Sequence, residues 1–144
     1  MSSLPDDRRL PEFGGDGRAE PLRVFVVENN DDTRMLLAML IEERGDLVQS
    51  ACSVAETLER YPDWYSDVLL CDLGLPDGSG WNLLESLRAE QPVPYAIAMS
   101  GFGSESDIER SRVAGFRHHI VKPVEPGKLD DLLDAARRER DSAS

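Results

Sequence analysis

Five short apolar runs, each separated from the next by a stretch of helical spacing, constrain this chain more than any other feature. They are residues 22–27 (Leu-Arg-Val-Phe-Val-Val), 47–52, 67–71 (Asp-Val-Leu-Leu-Cys), 95–99 (Tyr-Ala-Ile-Ala-Met) and 118–121 (His-His-Ile-Val). Runs this short and this apolar fit strands covered on both faces. The first intervening helix is predicted over 32–44, with Met35, Leu36, Met39, Leu40 and Glu43 at helical spacing, Asp32 as its cap and Gly45 as its stop. The second is capped by Ser53 and runs to about Tyr61, with Val54, Leu58 and Tyr61 on one side. The third covers 81–90 and ends before Pro92 and Pro94; the fourth starts from Ser104 or Ser106 and stops at Gly115; the last covers 125–138. Residues 75–80 read as loop. Strands alternating with crossover helices predict an α/β fold, a doubly wound five-stranded parallel sheet with helices on both faces.

A chain of 144 residues supports one such core. Residues 1–21, with Gly14, Gly15 and Gly17 and little apolar content, read as a flexible leader; residues 22–138 hold the domain, and 139–144 read as a tail. The formal net charge of −12 speaks against a nucleic-acid or anionic-membrane footprint. No apolar stretch approaches the ~18 residues of a spanning helix, and the first residues lack the apolar centre of a signal peptide, so the expected location is cytoplasmic. Two cysteines, Cys52 and Cys71, are too few for a disulfide framework or a cysteine-rich zinc site.

In doubly wound sheets the functional crevice lies beyond the carboxyl ends of the strands. There the sequence places Glu28-Asn29-Asn30-Asp31-Asp32 after the first strand, Asp72 after the third, Ser100 after the fourth and Lys122-Pro123 after the fifth. Convergent carboxylates call for a cation, and hard oxygen donors suit Mg²⁺. A lysine and a hydroxyl facing the same point suit a phosphoryl group, and a carboxylate such as Asp72 can be the nucleophile that receives it. Each residue also has a plain reading: Asp72 as a turn acid, Lys122 as a solvated loop lysine, Ser100 as a turn hydroxyl, Glu28 as a surface acid. Their common register favours the functional one. His118 and His119 are adjacent in a strand, point to opposite faces and make a poor metal pair. Cys71 reads as a packing residue, and Trp64 and Trp81 as packing or partner-facing residues.

Four segments carry a family resemblance: Val26-Val-Glu-Asn-Asn-Asp-Asp-Thr-Arg34, Asp67-Val-Leu-Leu-Cys-Asp-Leu-Gly-Leu-Pro-Asp-Gly-Ser-Gly80, Ala98-Met-Ser-Gly101 and Ala114-Gly-Phe-Arg-His-His-Ile-Val-Lys-Pro123. In this order, each at a strand mouth, they resemble the receiver domain of two-component response regulators, over residues 22–138. Ser100-Gly-Phe-Gly103 with the later His-His-Ile-Val-Lys-Pro stretch resembles receivers attached to hybrid histidine kinases. The resemblance implies the flavodoxin-like (βα)5 receiver fold. It implies Asp72 as phospho-acceptor, with Lys122 and Ser100 assisting. It implies Glu28, Asn29, Asp72 and the Gly74 carbonyl as the Mg²⁺ site, Ser100 and His119 as switch residues, and a cis bond before Pro123. The implied partners are a sensor histidine kinase or histidine phosphotransfer protein and a downstream protein, with no nucleic acid and no membrane. The chemistry is self-catalysed phosphoryl acceptance rather than that of a turnover enzyme. The chain ends soon after the last helix, which leaves output to a protein contact or onward phosphotransfer, and a receiver cut from a hybrid kinase fits equally.

Asn29 departs from the pattern: the family has a second pocket acid there. A neutral amide in its place costs about 1–3 kcal/mol of Mg²⁺ binding, or roughly ten- to hundredfold. A second reading is therefore a phosphorylation-independent receiver acting as a protein-interaction adaptor. A flavodoxin-type ligand binder would need a phosphate-cradling loop where residues 28–32 are acidic. A Mg²⁺-dependent hydrolase would need a second acid where Gly74 stands.

Overall fold

The computed structural model describes residues 20–143 apart from Tyr65 and Phe102, so the expected leader lies, up to residue 19, outside the described residues. The five strands are β1 (Arg23–Val27), β2 (Leu47–Ala51), β3 (Val68–Asp72), β4 (Tyr95–Ser100) and β5 (His118–Val121). The helices are α1 (Asp31–Glu43), α2 (Val54–Arg60), α3 (Gly80–Glu90), α4 (Glu105–Ala114) and α5 (Pro126–Ser142), with a 3-10 turn over Tyr61–Asp63. All neighbouring strands are parallel, in the order β2-β1-β3-β4-β5. The order reverses between β1 and β3, which opens the crevice at their carboxyl ends. Residues 75–80 are more ordered than a plain loop: Gly74–Leu75 pairs with Gly78–Ser79 as a short antiparallel ribbon.

Alternate strand residues point to opposite faces and build two cores. Val24, Val26, Val68, Leu70, Ile97, Met99 and Ile120 pack under α1 and α5, against Leu37, Ile41, Leu129 and Leu133. Phe25, Val27, Leu69, Cys71, Ala96 and Ala98 face the other side, with Tyr61, Leu83, Leu84, Leu87 and Phe116. Each fully buried leucine or isoleucine contributes about 2 kcal/mol.

The buried face of α1 is Leu37 and Ile41; Met35, Leu36 and Met39 are exposed. Residues 35–41 are apolar throughout, so several stripes fit the same spacing and the sequence does not set the phase. The cap of α1 is Asn30, not Asp32: its side chain accepts from Thr33 N at 2.8 Å. In α2 the buried residue is Thr57, whose hydroxyl donates to the Ser53 carbonyl, while Leu58 is exposed. Ser53, Ser79 and Ser104 cap α2, α3 and α4. Helix α5 continues past Arg138 to Ser142, because Arg140 reaches the carbonyls of Glu20 and Pro21 and the Asp67 carboxylate. Buried Asp46 completes this end of the sheet, accepting from Leu22 N, Arg44 and Arg137.

Two features of this packing have measurable consequences. A Cβ on Gly80 would lie 2.7 Å from the Asp72 carbonyl oxygen and 3.1 Å from Cys71 Sγ, so α3 begins hard against the end of β3. Gly80→Ala lowers stability by about 1–3 kcal/mol in urea unfolding. Burial, then the Arg117 and Lys128 charges, pull the His118 imidazolium below its usual 6.5, with Glu139 opposing. The unfolded chain therefore binds a proton that the native state resists, and stability rises with pH up to about 6.5 and levels above it. His118→Gln flattens this rise in urea midpoints taken across that window.

Candidate functional site

Glu28 follows β1 directly, its backbone N–H donating to Ala51 O at 3.1 Å, and its side chain is 1% exposed. Its Oε2 accepts from Asn30 N at 2.9 Å, and its carbonyl accepts from Arg34 Nη1 at 2.9 Å. Asp72 ends β3 and is buried; its Oδ1 accepts from Gly74 N at 3.1 Å, which folds the start of the ribbon around the carboxylate. Lys122 follows β5, its N–H donating to Ser100 O at 2.7 Å, and the Lys122–Pro123 bond is cis. Its ammonium donates to Glu28 Oε1 at 2.9 Å and to Asp72 Oδ2 at 3.0 Å. Residues 50 and 94 positions apart in the chain are thus joined by one cation.

Burial disfavours the Lys122 charge, but the two carboxylates outweigh it and raise the ammonium above its usual range. The pocket holds two carboxylates and one ammonium, a net charge of −1. Among the described residues no three His, Cys, Asp or Glu side chains gather as a cation-binding group. Asp31 is held by Arg34 at 2.6 Å, and Asn29 lies exposed beside Glu28. The oxygen donors placed together at the mouth are the Glu28 and Asp72 carboxylates, with Asn29 and Gly74 next to them in the chain. Carboxylates are hard oxygen donors of the kind that suit a small divalent cation retaining several waters.

A second network leaves the pocket through Ser100. Ser100 Oγ bonds His119 Nε2 at 2.8 Å, and His119 Nδ1 bonds Ser111 Oγ at 2.9 Å. Trp81 Nε1 donates to Ser111 Oγ at 2.9 Å. His118 points to the other face, where Tyr95 Oη lies 2.9 Å from its Nε2. Asp77, between the ribbon strands, accepts from the N–H groups of Val54 and Ala55. Those bonds hold its carboxyl below the usual range and tie the pocket loop to α2.

The structure brings together Glu28, Asp72 and Lys122, sets Asn29 and Gly74 at their margin, and links Ser100 to His119. Sequence reasoning missed Ser111, Arg34 and Asp77. Ser111 sits in a run, Glu-Ser-Asp-Ile-Glu-Arg-Ser-Arg, that is polar except for Ile108, and nothing there marks it as buried.

A family model described as the response regulator receiver domain matches residues 24–134. The chemotaxis protein CheY of Thermotoga maritima is 25% identical over 113 residues, 78% of this chain and 94% of CheY. The two-component response regulator PhoP of Pseudomonas aeruginosa is 28% identical over 117 residues, 81% of this chain and 52% of PhoP, so the chain spans about half of that relative. Among solved structures, a CheY-like response regulator receiver domain protein from Methanospirillum hungatei superposes with a TM-score of 0.80 at 25% identity, covering 87% of this chain and all of that one.

The charge arrangement predicts its own energetics. Lys122→Met leaves two buried carboxylates facing each other and lowers stability by about 2 kcal/mol, less than for a fully buried pair because the lysine side chain is partly solvated. Adding Glu28→Gln to that variant recovers part of the loss, read from urea unfolding at neutral pH.

Proposed function

This chain belongs to the response regulator receiver family, and we propose on that premise that it is a phosphorylation switch with Asp72 as the acceptor. The observation that carries the reading is the Lys122 ammonium lying on both the Glu28 and Asp72 carboxylates at the mouth of the β1–β3 crevice. A carboxylate oxygen of Asp72 attacks the phosphorus of a phosphohistidine on a partner kinase or phosphotransfer protein. The new oxygen–phosphorus bond forms as the phosphorus–nitrogen bond breaks. The departing imidazole nitrogen keeps the electron pair and takes a proton. Lys122 is within reach of the oxygens that gather charge, and the Ser100 hydroxyl follows the phosphoryl group. Its hydrogen bond to His119 connects that movement to β5 and α4, a local charge event biasing a two-state element. The chain is thus acceptor and self-catalyst rather than turnover enzyme. We set its action in the cytoplasm, with protein rather than nucleic-acid partners.

Glu28, Asp72, Asn29 and the Gly74 carbonyl would hold Mg²⁺, which supplies charge neutralisation for the transferred group. With an amide at 29, and an ammonium already compensating one of the two carboxylates, the pull on a divalent cation is weak. The same observation favours the second reading, a phosphorylation-independent adaptor using an intact fold around a weakened pocket.

Incubation with acetyl phosphate and Mg²⁺ separates the two. The switch requires wild type to gain one acid-labile phosphoryl group that Asp72→Asn does not gain. Asn29→Asp should tighten Mg²⁺ binding about ten- to hundredfold, measured by calorimetric titration. Absence of labelling in both wild type and Asn29→Asp would leave the adaptor.

A further inference from the structure

Ser111 is the one residue of α4 that is buried, at 1% exposure, and it is polar. Ile108 and Val113 of the same helix are exposed. So α4 faces the domain with a buried hydroxyl beside the partly buried Ala114, and the hydrogen bonds of that hydroxyl bear on how the helix sits.

Those bonds have a direction. The Trp81 indole N–H can only donate, so Ser111 Oγ is its acceptor. The other hydrogen bond found for Ser111 Oγ goes to His119 Nδ1. The Ser111 proton satisfies it if Nδ1 is the bare nitrogen of the neutral ring. The ring proton then sits on Nε2 and is donated to Ser100 Oγ. Ser100 Oγ then receives this bond instead of giving its O–H to the imidazole, the sense that suits donation toward a phosphoryl oxygen. What sets the sense is the buried Ser111 O–H: the Trp81 N–H cannot accept it, so of these two partners His119 Nδ1 is the acceptor. The Trp81 ring is also held from α4 by the Arg110 guanidinium, 4.0 Å from the ring centre.

We propose that Trp81 and Ser111 are positioning residues that fix His119 as its Nε2–H tautomer and so orient the Ser100 hydroxyl toward the group on Asp72. The orientation toward that group rests on the phospho-acceptor reading; the tautomer does not.

Long-range ¹H–¹⁵N correlation of the imidazoles in ¹⁵N-labelled wild type, at a pH where they are neutral, tests the core of the relay. The expected spectrum shows His119 protonated on Nε2 and bare at Nδ1. Ser111→Ala and Trp81→Phe shift it toward a mixture or the opposite tautomer, and Ser111→Thr, which restores a hydroxyl, restores the pattern. An Nδ1–H tautomer in wild type, or no change in either variant, overturns the proposal. Labelling by acetyl phosphate gives the second readout. Each variant slows it by about three- to tenfold, the value of one hydrogen bond. In a Ser100→Ala background the same changes add less than about twofold, because their path is already cut. Full additivity would mean a general structural effect and overturns the positioning role. If wild type takes no label, the acceptor reading and the orientation toward it fall together, while the tautomer still decides whether the relay exists.

Discussion

Everything at the mouth of this sheet depends on how buried negative charge is tolerated. Glu28 and Asp72 are delivered by strands next to each other in the sheet, and without a cation between them one would have to give up its charge. Lys122 arrives from the far edge strand, across β4, and joins them. This makes the pocket self-contained: its counter-ion is covalently part of the fold. Any change of charge at Glu28 or Asp72 therefore has to rearrange an ion pair of Lys122.

The two networks at the site differ in kind. The Glu28–Lys122–Asp72 cluster is ionic and joins the sheet's own strands. The Ser100–His119–Ser111–Trp81 chain is directional, and it ends on helices α3 and α4 rather than on the sheet. Helix α4 is thinly packed, with one buried residue in ten against four in α3 or α5. An element held by few apolar contacts responds to a change worth about 1 kcal/mol, which one hydrogen bond can supply. The weak packing of α4 and the presence of a polar chain at its back are therefore two sides of the same arrangement.

The strand ends were readable from sequence because parallel strands are short, apolar and closed by the residues that matter; Asp72, Ser100 and Lys122 fall where the apolar runs stop. The two-sided placement of His118 and His119 followed from the period of a strand. Helix phase was harder. In α1 every residue from Met35 to Ile41 is apolar, so burial of Leu37 rather than Leu36 is settled only by how the helix lies on β1 and β2. In α2 a threonine takes the inner position by satisfying its hydroxyl on the preceding turn, a local bond that hydrophobic spacing does not register. Asn30 and Asp32 are both competent caps two residues apart, and the choice depends on the loop that Glu28 pins. Ser111 escaped notice because its partners come from α3 and β5, far away in the chain.

The clamp formed by Arg137 and Arg140 on the backbone at Glu20 and Pro21 fixes where the polypeptide crosses the boundary of the domain. Because β1 runs parallel to its neighbours and α5 runs back against them, both crossing points fall at the pole opposite Asp72. The described start of the chain and the last turns of α5 are thereby locked to one another at that pole, so the two loosen or hold together, away from the Asp72 carboxylate.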